Sequence, residues 1–247
     1  MFIPAHKFAY IGLIAFCCSG AFANTHQIGG SDSHVDLARS QSALPTPDIL
    51  QHRDLPPMSP PTGEMRAKWS DLEGRISTDE KMLATCRLDE SKCSQAESRF
   101  LSIVELARKH EGRARLGWLN RAVNMSIKPV SDWAQYGDAD YWASPLQTLS
   151  SGSGDCEDYA ILKYVALRAV GVEADNLRLV IVLDDKRRAE HAVVAVRYEQ
   201  QWLILDNLTM AIIAAEDASN YRPLFALDSP RAVALAAVAP ARTINIE

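Results

Sequence analysis

The chain has no run of lysine and arginine longer than Lys186-Arg187-Arg188, no internal repeat, and few thiols and imidazoles, with five cysteines and six histidines in 247 residues. A formal charge of −5 and a pI near 5.7, with no long basic run to offset them, argue against a nucleic-acid binder. No second cysteine or histidine stands at ligand spacing from Cys156 or His191, which argues against a thiolate or imidazole metal centre. The apolar share of 47% and charged share of 23% are those of a globular chain, of a length that suits one sizeable domain or two small ones.

The N-terminal apolar run, Phe8 to Cys18, is too short to cross a bilayer. Lys7 precedes it and Ala21-Phe22-Ala23 follows, the order of a secretory signal peptide with cleavage after Ala23. Export to the periplasm is the expectation, and losing Lys7 takes the formal charge from −5 to −6. Lipidation at Cys17 or Cys18 is a minor alternative, since Phe16 and Cys17 are poor residues before a lipidated cysteine. Residues 24–63 hold six of the twelve prolines and few aliphatics, which reads as a disordered tether ahead of a domain at 64–247.

Cys86, Cys93 and Cys156 remain after cleavage. In an oxidising compartment Cys86 and Cys93, bracketing the polar "RLDESK", are expected to pair across a tight connection between helices. Two free, partly buried thiols are the blander reading. Pairing leaves Cys156 over as a candidate reactive thiol.

Apolar residues at helical spacing mark "MRAKWSDLEGRISTDEKMLATC", "SQAESRFLSIVELARKH" and "RARLGWLNRAVNMSI" as three helices, the last stopped by Pro129. The aromatic, turn-rich "SDWAQYGDADYWASPLQTLSSGSG" reads as a long functional loop. A fourth helix begins after Gly154, with Asp155 as N-cap, Asp158 reaching back from N3, and Gly171 as the stop. Then "LRLVIVLD", "EHAVVAVRY" and "QWLILDN" read as strands. The fold class is α+β, helices first and an antiparallel sheet after them.

Three carboxylates, Asp155, Glu157 and Asp158, surround Cys156, although negative charge disfavours a thiolate. At N1 of a helix the exposed N–H groups and dipole oppose that effect. A thiolate nucleophile also needs an imidazole and a group to orient it. A two-residue turn at Glu199-Gln200 would face Val193 with Asp206, making His191 a diagonal neighbour of Asp206 on one face. Taken singly, Cys156 could be a small buried apolar residue, His191 a satisfied strand residue and Asp206 the start of a turn. Together, in this order, they suggest a catalytic Cys, His and Asp.

"GDCEDYAILKYVALRAVGV", "LRLVIVLDD", "HAVVAVR" and "WLILDN" in succession resemble the bacterial transglutaminase-like cysteine peptidases, the family of LapG-like periplasmic proteases. "LNRAVNMSIKPVSDWAQYGDADYWASPLQTL" and "YRPLFALD" are also similar, so the likeness covers most of residues 64–230. It implies a papain-like, transglutaminase-like core with N-terminal helices and a nucleophile helix packed on the sheet. It implies Cys156 as nucleophile, His191 as base, Asp206 as its orienter, and Ca²⁺ bound by Asp155, Glu157 and Asp158. The implied substrate is a protein, the N-terminal retention region of a large secreted adhesin, and the implied partner an inner-membrane regulatory protein. A transglutaminase-type acyl transferase and a non-catalytic, calcium-responsive binding module are the alternatives.

Overall fold

Helical periodicity governs the first half of the computed structural model, which describes residues 63–227, and strands buried on both faces mark the second. The expected leader, the tether up to residue 62, and the last twenty residues of the expected domain lie outside the described residues. Helix α1 (Gly63–Leu88) buries Trp69, Leu72, Ile76, Leu83 and Cys86, three to seven apart, along one stripe. Helix α2 (Gln95–Arg108) starts at a capping box, in which Ser94 accepts from the Glu97 N–H and Glu97 from the Ser94 N–H. Cys86 and Cys93 form the expected disulfide between these two helices, with Cα atoms 4.7 Å apart. Helix α3 (Gly112–Ser126) ends at Ile127, which is already extended ahead of Pro129.

The stretch from 131 to 154 is less of a loop than its composition suggests. Strands β1 (Lys128–Pro129) and β2 (Ser153–Gly154) pair in parallel and bracket it. Between them lie two short helices, α4 (Asp132–Tyr136) and α5 (Pro145–Ser151). The proline at α5's first position needs no N–H partner, and the Ser144–Gln147 box caps the same end. Helix α6 (Cys156–Ala169) is buried along its whole length. It stops at Gly171, whose φ of +98° suits glycine, while the Val172 N–H closes back on Leu167 O at 3.0 Å.

Five antiparallel strands follow: β3 (Leu177–Asp184), β4 (Ala189–Tyr198), β5 (Gln201–Leu205), β6 (Ile213–Ala214) and β7 (Tyr221–Leu227). Their order is β6-β5-β4-β3-β7, which adds two strands to the three expected. The β4–β5 hairpin has the anticipated register, Tyr198 facing Gln201 and Val194 facing Leu205. One face, with Leu179, Ile181, Ala192, Val194 and Leu203, joins the main core under α6 and the N-terminal helices. The other, with Val180, Val182, Val193, Trp202 and Ile204, forms a smaller cluster. Strand β7 pairs with β3 through a register shift at Ile181/Val182, and carries Pro223. No helix among the described residues is long and apolar enough to cross a membrane.

Candidate active site

Cys156 is the first residue of α6 and lies buried outside any disulfide. Its thiol donates to Glu157 Oε2 at 3.2 Å. Gly154 permits the tight entry to the helix, because a Cβ there would stand 2.7 Å from Asp158 Cβ. Helix α6 packs across β4, the strand that carries His191.

His191 and Asp206 meet as the hairpin arithmetic requires, with His191 Nε2 and Asp206 Oδ1 2.9 Å apart and both residues 2% exposed. Asp206 Oδ1 also accepts from the Leu208 N–H at 3.0 Å, and Oδ2 accepts from the Tyr221 hydroxyl at 2.5 Å. Burial alone would raise this carboxyl's pKa. The bond to His191 and its charge, with the Leu208 and Tyr221 donors, outweigh burial and hold it down at about 2. An ionised Asp206 fixes the ring's tautomer and favours the imidazolium. Lys163, on α6 and 1% exposed, adds a second cation within the field of Asp206. Its own pKa falls to about 7 because burial outweighs the attraction of Asp206.

The acids form a second cluster with a changed membership. Asp132, from the start of α4, joins Asp155 and Glu157, each offering an oxygen within 4.8 Å of the others. Asp158 stands apart, since its Oδ1 accepts from the Ala143 N–H at 2.8 Å and anchors the approach to α5. Asp155 occupies the N-cap position, but its side chain accepts from the Asp132 N–H at 3.4 Å instead of capping α6. Asp132 Oδ2 accepts from the Tyr141 N–H, and its buried Oδ1 has no partner among the described residues. Burial, then the charge of Asp155, raises Asp132 to about 7 and Glu157 well above the carboxylate range. Asp158 rises to about 8, chiefly by burial. Packed carboxylates that resist ionisation, all hard oxygen donors and with Asp132 Oδ1 orphaned, suit a calcium-sized cation.

The family described as bacterial transglutaminase-like cysteine proteinase (BTLCP) matches residues 77–229. The chain belongs to this family. Legionella pneumophila LapG is 27% identical over 62% of this chain and 83% of its own, with a TM-score of 0.49. The EGTA-treated form of that protein is 27% identical over 62% of this chain and 81% of its own, with a TM-score of 0.50. Its calcium-bound form is 28% identical over 52% of this chain and 83% of its own, with a TM-score of 0.39. No curated protein matches the chain significantly. As a transglutaminase-like cysteine proteinase, the chain is a cysteine peptidase-like enzyme built on an α+β papain-like core. Asp132, Lys163 and Tyr221 are the members of this site that reading the sequence did not single out. Asp132 and Tyr221 lie in stretches that carry the family likeness, and Lys163 sits inside an otherwise apolar helical run.

Proposed function

We infer that the chain is a periplasmic cysteine endopeptidase that uses Cys156, His191 and Asp206 and cleaves the N-terminal retention region of a large surface adhesin under calcium control. The observation that carries this reading is the buried His191–Asp206 pair on the hairpin that packs against the cysteine-bearing helix. Asp206 engages Nε2, so Nδ1 is the nitrogen that takes the thiol proton. The Cys156 sulfur adds to the scissile carbonyl carbon, and the helix-start N–H of Cys156 stabilises the oxyanion. His191 then protonates the leaving amine, and water, deprotonated by the same ring, releases the acyl-enzyme.

Asp132, Asp155 and Glu157 would hold the cation, which supplies positive charge against the carboxylates beside the thiol. The leader sequence supports periplasmic localisation. An inner-membrane regulatory protein that binds the enzyme completes the reading.

The test is cleavage of an adhesin N-terminal fragment by wild type and Cys156→Ala, with and without EGTA. Cleavage by wild type alone, abolished by EGTA and restored by Ca²⁺ better than by Mg²⁺, is expected. Cleavage by Cys156→Ala would remove the nucleophile assignment, and full activity in EGTA would remove calcium control. An isopeptide product with an added amine would turn the reading toward acyl transfer.

A further inference from the structure

Helix α3 is unlike the rest of this acidic chain, since it carries Arg113, Arg115 and Arg121 and no acidic residue. Arg113 and Arg121 border a surface pocket of about 410 Å³ between α3 and the segment 210–212. Neither guanidinium has a carboxylate partner among the described residues, and Arg113 only reaches Ile212 O at 3.5 Å. Between them Trp118 stacks with His110, ring centroids 5.8 Å apart and planes inclined by 26°. Met210, 47% exposed, and Ile212 form the opposite, apolar wall.

This wall belongs to the loop that begins at Asp206. Asn124 Nδ2 donates to Asp206 O at 2.9 Å and to Thr209 O at 3.0 Å, and Asn120 Nδ2 donates to Thr209 O at 3.0 Å. One face of α3 therefore holds the backbone at Asp206 while the neighbouring face presents the arginines. The pocket is a binding surface adjoining the candidate site, and it is basic where the molecule as a whole is acidic.

We propose that the pocket is an exosite for an acidic, extended segment of the protein substrate, a proposal that rests on the peptidase reading above. The eight helical steps from Arg113 to Arg121 span about 12 Å. Four residues of extended chain span about 13 Å, and alternation puts residues i, i+2 and i+4 on one side. The fitting segment has an acid, any residue, an apolar residue, any residue, and an acid. The two carboxylates meet the two guanidinium forks, and the central apolar side chain lies against Trp118 and Met210.

Binding of a fluorescein-labelled Glu-Ala-Leu-Ala-Glu peptide to the folded protein, read by anisotropy, tests this without requiring peptidase activity. The acidic peptide should bind, weaken at least tenfold as salt rises from 50 to 500 mM, and bind at least tenfold more weakly to Arg113→Glu/Arg121→Glu. The Lys-Ala-Leu-Ala-Lys peptide should prefer the doubly reversed variant. Arg121→Gln, a milder change, should give an intermediate affinity, and both variants should keep the wild-type rate of Cys156 alkylation by iodoacetamide. With a cleavable substrate carrying such a segment, the variants should raise KM and leave kcat unchanged. Equal binding to wild type and double variant, or equal binding of the acidic and basic peptides, would overturn the exosite. So would binding of phosphatidylglycerol vesicles with none of the peptide, which would make this a membrane-facing surface. Peptide binding that behaves as expected in a protein that cleaves nothing would retain the acidic-segment site and sink the peptidase reading instead.

Discussion

Tyr221 approaches the histidine from the far edge of the sheet, its hydroxyl on Asp206 Oδ2 and its ring centroid 5.8 Å from that of His191. Hydrogen bonds to a charged group are worth about 1.5–3 kcal/mol. Tyr221→Phe removes one that favours the ionised carboxylate, so the pKa of Asp206 should rise from about 2. The expected result is a roughly tenfold slower alkylation of Cys156 near neutral pH, with the acid limb of its pH profile moved upward. An unchanged profile would make Tyr221 a packing residue only. Lys163 permits a test by stability. Its pKa is about 7 in the fold against 10.5 for an ordinary lysine, so between these the unfolded chain binds the extra proton. Stability therefore rises with pH across that window, and the burial penalty is greatest below it. Lys163→Met should raise Tm more at pH 6 than at pH 10, and a pH-independent gain would contradict the depressed pKa. Nothing in the periodicity of "AILKYVAL" marks this lysine as interior, because buried and exposed lysines look alike until packing is known.

The hairpin between β4 and β5 turns at Glu199 and Gln200, with φ of +48° and +65°, the left-handed pair of a type I′ turn. Neither is the residue such a turn favours, and each non-glycine residue held there costs about 1 kcal/mol. Gln200→Gly should stabilise the protein by about 0.5–1 kcal/mol, measured by urea denaturation, and leave alkylation of Cys156 untouched. A destabilised variant would mean that the Gln200 side chain contributes more than its backbone strain costs. This hairpin was legible in the sequence because the polar pair Glu199-Gln200 divides two apolar runs, and a two-residue turn there sets the register that brings His191 to Asp206. The short elements were not. Helix α4 has five residues and β6 two, fewer than two full periods of their patterns, so neither pattern can repeat. In β7, Pro223 and the register shift interrupt the alternation that would have announced a strand.

Asp132 and Glu157 come together only because β1 and β2 pair in parallel and close the segment between them. That closure is a tertiary fact which spacing along the chain does not encode, and it is why the acid cluster read from sequence contained Asp158 instead. The whole molecule's stability should report the cluster. Raised carboxyl pKa values mean that the fold holds protons the unfolded chain has released. The contribution of these carboxyls is thus complete below pH about 4 and is lost as pH rises through about 7 for Asp132 and about 8 for Asp158. In EGTA, Tm should fall between pH 5 and 8, and Ca²⁺ should flatten the fall by replacing the protons. A decline of the same slope with and without Ca²⁺ would count against the metal site. The sheet's outer strands carry a different consequence. Among the described residues β6 and β7 have no outer neighbour, and the first is two residues long while the second is interrupted by Pro223 and the register shift. Neither rim offers a straight ladder of free amides, so the molecule is a poor template for cross-β stacking. Among the described residues no rim gives a backbone a straight edge on which to zip as a sixth strand, so a captured polypeptide must be gripped there by its side chains.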